Sequence, residues 1–133
     1  MKISDIEGIG PKYAKILNKA GIKSVAGLLK MCCDKKGRNA TAKETGLDAK
    51  QLLKWANMAD LYRVKGVGSE YSELLEAAGV DTVKELRNRK PENLHAKMVE
   101  VNTKKKLVRQ LASAKMVEKW VAHAKTLDPV ITH

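Results

Sequence analysis

The chain has 133 residues, of which 44% are hydrophobic, and its 26 lysines and arginines outnumber 15 acidic residues, giving a formal net charge of +11. This composition predicts a globular protein with one ordinary core or two small ones, and it excludes a membrane protein because no apolar run approaches the roughly 18 residues of a span. Aromatic residues make up 4%, too few for a base-stacking single-strand binder, whereas the net charge favours a polyanionic partner.

Both cysteines, Cys32 and Cys33, are adjacent. Adjacent cysteines rarely bridge each other because the disulfide strains the peptide between them, and they lack the spaced ligand pairs of a zinc site. We therefore predict two reduced thiols at the end of a helix and no metal. With an N-terminus that lacks the pattern of a signal peptide, this favours a cytoplasmic protein.

An internal repeat organises the chain. Ile-Glu-Gly-Ile-Gly at residues 6–10 recurs 58 positions later as Val-Lys-Gly-Val-Gly at residues 64–68, and a Trp-x-x-x-Ala pattern recurs at an offset of 65. We interpret the chain as a duplication, with repeat 1 at residues 1–58 and repeat 2 at residues 59–133. The repeats are expected to form one compact unit, because about 60 residues bury little surface alone.

Repeat 1 is predicted to be a string of short helices. Gly10 is placed as an N-cap with Pro11 at the first helical position, which the fixed φ of proline suits, and an apolar stripe of helical period follows. Gly21 ends this helix. Ser24 and Asp48 can cap two further helices.

Repeat 2 is predicted to follow the same plan. Four of its residues have the chemistry of helix ends: Gly68, Gly79, Thr82 and Ser113. Residues 91–101 and 102–111 are each predicted to be helical, and Trp55 and Trp120 lie in apolar stripes typical of a core. No run alternates as a strand would, so the predicted fold class is all-α.

The unit hydrophobic-x-Gly-hydrophobic-Gly, followed at once by an amphipathic helix, resembles the helix-hairpin-helix motif. It is carried by Ile6-Glu7-Gly8-Ile9-Gly10-Pro11-Lys12-Tyr13-Ala14 and again at residues 64–68; we call residues 6–10 turn 1 and residues 64–68 turn 2. The chain is similar to tandem helix-hairpin-helix proteins, and its later segments resemble a bacterial family catalogued as a domain of unknown function. The resemblance implies that the turn amides bind DNA backbone phosphates from the minor groove, with a monovalent cation on the turn carbonyls.

Physical chemistry independently favours phosphate binding at turn 1. A helix start presents unpaired N–H groups and the positive end of the helix dipole, where phosphate binds without base contacts. Lysines spaced by 3, 4 and 4 residues follow the turn, so they are predicted to share one helix face. The predicted DNA-binding residues are Gly8, Ile9, Gly10, Lys12, Lys15, Lys19 and Lys23. The alternative is that the glycines only allow two helices to pack closely.

Turn 2 differs in charge. Positions equivalent to the four lysines hold Glu70, Glu73, Ala77 and Asp81, and carboxylates close to a phosphate oppose its binding. We predict that turn 2 is structural or faces a protein. The residues of this prediction are Gly66, Val67, Gly68, Glu70 and Glu73.

Two further cationic stretches are open to more than one interpretation. Lys104, Lys105, Lys106 and Arg109 are predicted at the start of a helix, where the dipole disfavours cations; they form either a solvated face or a second phosphate contact. A Lys-Lys-Gly-Arg stretch at residues 35–38 is predicted to be a loop with the same two interpretations.

No P-loop, metal-ligand pattern or nucleophile with a base partner occurs in the chain, which favours a protein that is not an enzyme. The leading hypothesis is non-enzymatic, largely sequence-independent binding of double-stranded DNA through backbone phosphates at turn 1. It requires no cofactor beyond the implied cation and would associate the protein with the nucleoid. The alternative is a protein-interaction module, with a partner protein or a second copy bound at the acidic helix after turn 2.

Overall fold

Helices account for nearly all of the regular structure in the computed structural model, which describes residues 2–6 and 8–133; Met1 and Glu7, the second residue of turn 1, lie outside the described residues. A short 3₁₀ helix at Ile3–Asp5 precedes the α-helices. The α-helices of the described chain are α1 (Pro11–Lys19), α2 (Val25–Cys32), α3 (Lys35–Thr45), α4 (Ala49–Leu61), α5 (Ser69–Ala77), α6 (Val83–Arg87), α7 (Pro91–Lys105) and α8 (Ala114–Ala124). Within these ranges, the β structure is an isolated bridge between Lys2 and Ser24. The all-α prediction is confirmed.

Contacts divide the chain into two compact units. Unit 1 comprises Met1–Asp60 and Val130–His133, and unit 2 comprises Leu61–Pro129. The division falls two residues from the predicted repeat boundary, but the C-terminal tetrapeptide, predicted within repeat 2, belongs to unit 1. In the described ranges, no helix combines the length and apolar character needed to cross a membrane.

The predicted helix ends of unit 1 are confirmed. Gly10 is the N-cap of α1 and Pro11 its first residue, and Gly21 has a left-handed φ of +86° just beyond the helix. The Ser24 hydroxyl accepts from the Gly27 amide at 2.9 Å, which begins α2. An amide near the start of α4 similarly donates to the Asp48 carboxylate at 2.9 Å. Trp55 is buried in the core, as its stripe predicts.

Residues 35–38, predicted to be a loop, instead form the first turn of α3. The Asp34 carboxylate accepts from the Gly37 amide at 2.7 Å and caps the helix. Arg38 is 4% exposed, and its guanidinium donates to the carbonyls of Cys32 at 3.1 Å and Thr132 at 2.7 Å. This arginine anchors the C-terminal segment, and its burial removes it from any phosphate contact.

In unit 2, α6 and α7 pack on α8, and α5 packs on α7. The shared core contains Leu74, Leu75, Leu86, Met98 and Trp120. The predicted caps are again present. The hydroxyl of Thr82 accepts from the Glu85 amide at 3.2 Å, and that of Ser113 accepts from the Met116 amide at 3.1 Å.

The helix predicted over residues 102–111 is absent, because α7 is a single helix that continues to Lys105 and then stops. Lys106 ends it in a left-handed conformation with φ of +51°, and glycine, which usually marks such an end, is missing here. The Asn102 side chain binds both backbone groups of Val108, at 3.2 Å to the carbonyl and 3.0 Å from the amide. These side-chain bonds take the place of the helical ladder.

The two cysteines lie where predicted, Cys32 as the last residue of α2 and Cys33 as its C-cap. Burial raises the pKa of the Cys32 thiol, whereas Cys33 is half-buried. We expect Cys33 to react first with a thiol reagent and Cys32 to react only on unfolding.

The raised pKa of Cys32 also predicts a pH dependence of stability. The native state holds this proton more tightly than the unfolded chain, so the associated stability is present below the ordinary thiol pKa of about 8.5 and is lost as pH rises through the higher native pKa. Urea unfolding at pH 8 and pH 10 should show a larger loss for the native sequence than for Cys32→Ala. Equal losses would contradict this prediction.

Candidate nucleic-acid interface

Turn 1 is held against the core by its two isoleucines. Ile6 and Ile9 are buried, and the Ile9 amide donates to the Ile6 carbonyl at 3.0 Å. Gly8, between them, has φ of +91°, and a side-chain carbon added there would lie 3.4 Å from Nε1 of Trp55. A positive φ and a close aromatic floor both favour glycine at this position.

Turn 1 leads directly into α1. Gly10 is extended, with φ of −84° and ψ of −175°, and as a glycine it offers no side chain to accept from the first-turn amides. The Ala14 amide closes the first helical bond to the Gly10 carbonyl at 3.0 Å. Because Pro11 has no N–H, the amides of Lys12 and Tyr13 are the donors in the first turn that a ligand could use.

The inner face of α1 fixes its orientation. Ala14 and Leu17 are buried, and the ring of Tyr13 packs on that of Trp55 with centroids 5.3 Å apart and planes tilted by 57°. Because this face is held, the polar residues of α1 face solvent.

The structure brings only part of the predicted lysine set together. All four lysines are exposed, but Lys23 lies beyond the end of α1, because Gly21 turns the chain first; its predicted place on the helix face is wrong. Lys19 lines a shallow cleft of about 340 Å³ together with Glu44, whose charge reduces the local potential. Lys12 and Lys15 therefore form the cationic surface nearest turn 1.

Turn 2 has the same local construction. Gly66 has φ of +93°, and a side-chain carbon added there would lie only 3.0 Å from Nε1 of Trp120. The Val67 amide donates to the Val64 carbonyl at 3.1 Å. The rings of Tyr71 and Trp120 pack with centroids 5.1 Å apart and planes tilted by 55°.

The helix that follows turn 2 presents a different charge. Gly68 is the N-cap of α5, and Glu70 occupies its first turn, where a carboxylate stabilises the helix dipole. Glu70 is exposed, whereas Glu73 is half-buried and interacts with other groups of the chain. Of the predicted acidic pair, only Glu70 is therefore freely presented to solvent.

A histidine contact in turn 2 was not predicted. The Lys65 amide donates to Nδ1 of His123 on α8 at 3.1 Å. The two residues are 58 positions apart, and no local pattern indicates that they meet. One clue in the sequence is the offset of 65 between the tryptophan motifs, which pairs His123 with the apolar Met58 of repeat 1.

The second cationic patch, predicted at the start of a helix, lies instead at the end of one. Lys104 and Lys105 are the last residues of α7, Lys106 is its C-cap, and Arg109 follows in irregular chain; all four are exposed. Cations at a helix C-terminus are stabilised by the dipole. The helix dipole therefore explains why lysines occur at the end of α7, whereas it would disfavour them at the predicted helix start.

A monovalent cation of the kind that the resemblance implies would be bound by carbonyl oxygens of the turns. Ile6 and Val64 each accept one amide through their carbonyl oxygens, and a carbonyl oxygen has a second lone pair for a cation. Among the residues that the structure describes, no group of three or more His, Cys, Asp or Glu side chains could hold a metal ion. Each of these two carbonyl oxygens could therefore contribute one neutral ligand to the monovalent cation that the resemblance implies.

Comparison with known proteins adds one finding. A family model described as a domain of unknown function (DUF4332) matches residues 7–127, which include turn 2, all of turn 1 except Ile6, and α1 to α8. No curated protein and no solved structure matches the chain.

Proposed function

We propose that the chain, which belongs to the DUF4332 family, is a non-enzymatic protein that binds double-stranded DNA through backbone phosphates at turn 1. In this proposal the amides of Lys12 and Tyr13 donate to phosphate oxygens, and the side chains of Lys12 and Lys15 supply charge. Gly8 and Gly10 allow the backbone to approach closely.

We also propose that the two units are copies of a helix-hairpin-helix element. The bounds of α1 and α5 support this, because both the first and the last residues of the two helices are 58 positions apart. A glycine of positive φ above a tryptophan indole precedes each helix. Similar ring pairs, Tyr13 with Trp55 and Tyr71 with Trp120, then hold each helix.

The observation that carries the DNA-binding proposal is the start of α1. Its N-cap offers no side chain, its first-turn amides point their positive ends towards the turn, and the exposed Lys12 and Lys15 stand beside it. Each element attracts phosphate separately, and their combination is absent from α5, where Glu70 occupies the first turn.

Binding of this kind would not read sequence. Amides and lysines that contact phosphates fix the protein on the duplex but carry no base information. The amide side chain of α1, Asn18, lies in its last turn, at the far end of the helix from turn 1. A monovalent cation held by the turn 1 carbonyls would add positive charge beside the phosphate. A nucleoid-associated location follows from the same proposal.

We expect the binding of a random-sequence duplex to be weak and strongly dependent on salt. Three to five phosphate contacts give a slope of about −3 to −5 for log K against log salt, with a dissociation constant on the order of micromolar near physiological salt. Fluorescence anisotropy over a salt series measures both quantities. A defined-sequence duplex of equal length should bind alike.

Two outcomes would contradict the proposal. If the duplex does not bind at tens of micromolar protein in low salt, turn 1 does not bind phosphate in the way proposed. If a light-scattering mass measurement then shows a dimer that Glu70→Lys disrupts, the alternative interaction module at the acidic helix is favoured.

A further inference from the structure

Turn 2 borders an open cavity that plays no part in the proposed function. The cavity has a volume of about 400 Å³ and is lined by Lys65, Gly66, Met116, Lys119, Trp120 and His123. These residues belong to turn 2 and α8, and no lining residue comes from the acidic α5. The carboxylates of α5, which would repel a phosphate, therefore do not line this cavity.

The polar side chains that line this cavity offer hydrogen-bond donors. The ammonium groups of Lys65 and Lys119 are donors only, as is the Trp120 indole N–H. His123 uses Nδ1 to accept from the Lys65 amide at 3.1 Å. A neutral imidazole with an acceptor at Nδ1 carries its proton on Nε2, so its remaining ring nitrogen is also a donor. A complementary ligand must supply acceptors and negative charge.

We infer that this cavity binds a phosphate group. Two ammonium groups and the imidazole N–H suit the several oxygens of a phosphate, and the apolar walls of Met116 and Trp120 suit the organic part of a phosphate ester. Lys65 and Lys119 are both exposed, so a ligand can reach them from solvent.

The sequence register makes the site specific to unit 2. At the offset of 58, the residue of repeat 1 equivalent to Lys65 is Glu7. At the offset of 65, the residue equivalent to His123 is Met58. Unit 1 therefore has an acid and a thioether where unit 2 has two donors. The inference goes beyond the proposed function and does not depend on phosphate binding at turn 1.

The test is a titration of the full chain with inorganic phosphate, with the ionic strength held constant by chloride. Binding is detected through the NMR signals of the Gly66 amide and the Trp120 indole N–H. Both signals should shift with saturation. The double variant Lys65→Gln/Lys119→Gln should weaken binding about a hundredfold or more, since each of the two lost charge-assisted bonds is worth about tenfold or more.

The matched control is Lys84→Gln/Lys90→Gln, which removes two exposed lysines of unit 2 that lie off α8 and do not line the cavity. It changes the net charge equally and should leave phosphate binding within about twofold, as expected of remote surface charges. Shifts that do not saturate, or an equal loss in both double variants, would overturn the inference.

A second arm identifies the source of the phosphate. Duplex DNA that binds Lys65→Gln/Lys119→Gln more weakly than the control variant would show that the nucleic-acid backbone occupies the site. Equal duplex binding by the two variants, with inorganic phosphate binding lost only in the first, would assign the site to free phosphate compounds. Either result supports a phosphate site, and neither depends on Lys12 or Lys15.

Discussion

Lys12→Glu combined with Lys15→Glu should reduce duplex DNA binding by about a hundredfold or more. Each lost charge-assisted phosphate contact costs about 1.5–3 kcal/mol, and the new carboxylates add repulsion at the same place. The helix itself should persist, because both side chains are exposed and a carboxylate in the first turn favours the dipole. Fluorescence anisotropy gives the affinity, and circular dichroism checks the helix content.

The control for this variant must change the net charge equally within unit 1. Lys30→Glu combined with Lys50→Glu does so, since both lysines are exposed and lie on α2 and α4 rather than on α1. This control should weaken binding less than about tenfold, because charges more than a Debye length from the duplex are screened. Equal loss in the two variants would show that net charge, rather than the α1 surface, is responsible.

The complementary change is made at turn 2. Glu70→Lys should leave DNA binding unchanged or strengthen it, because it replaces a repelling charge at the start of α5 with an attracting one. Glu73 is unsuitable for this exchange, since it is half-buried and engaged with other groups. If Glu70→Lys abolished DNA binding, the assignment of turn 1 as the binding turn would be wrong.

Gly66→Ala should lower the free energy of unfolding by roughly 2–5 kcal/mol. The left-handed φ of +93° costs an L-residue about 1–2 kcal/mol. The added carbon would also lie 3.0 Å from Nε1 of Trp120, and relieving such crowding in a packed site costs about 1–3 kcal/mol. Urea unfolding followed by tryptophan fluorescence measures the change.

The neighbouring glycines provide an internal scale for that measurement. Gly68 has φ of −106° and nothing within 4 Å of an added carbon, so Gly68→Ala should lower stability by at most about 1 kcal/mol, the cost of a poorer N-cap residue. Gly8→Ala should fall between them, because Gly8 shares the positive φ but has 3.4 Å to Trp55. Gly66→Ala as stable as Gly68→Ala would contradict this account of turn 2.

Local chemistry explains why most of the helices could be predicted from the sequence. A glycine or hydroxyl at a helix end acts on amides within three residues, so Gly10, Gly21, Ser24 and Ser113 indicate the same boundaries in the sequence and in the structure. The apolar stripes that contain Trp55 and Trp120 are also local patterns, and they correctly indicate two core helices.

The predicted helix boundaries are wrong where one local signal competes with another, and contacts between distant residues are not predicted at all. The lysines of residues 35–38 suggested a loop, although Asp34 is a strong N-cap signal and begins α3 there. α7 ends at a lysine in a left-handed conformation, which residue type does not predict. The contacts of Arg38 with Thr132 and of Lys65 with His123 join residues 94 and 58 positions apart, so only the folded chain reveals them.

The most direct test of DNA binding at turn 1 is an NMR titration of the amide signals with a random-sequence duplex. The proposed function predicts that the amides of Gly10, Lys12 and Tyr13 show large, saturable shifts that decrease as salt rises, because phosphate oxygens bind at the start of α1. The result that would contradict it is duplex binding that leaves these three signals unchanged while those of α5 shift.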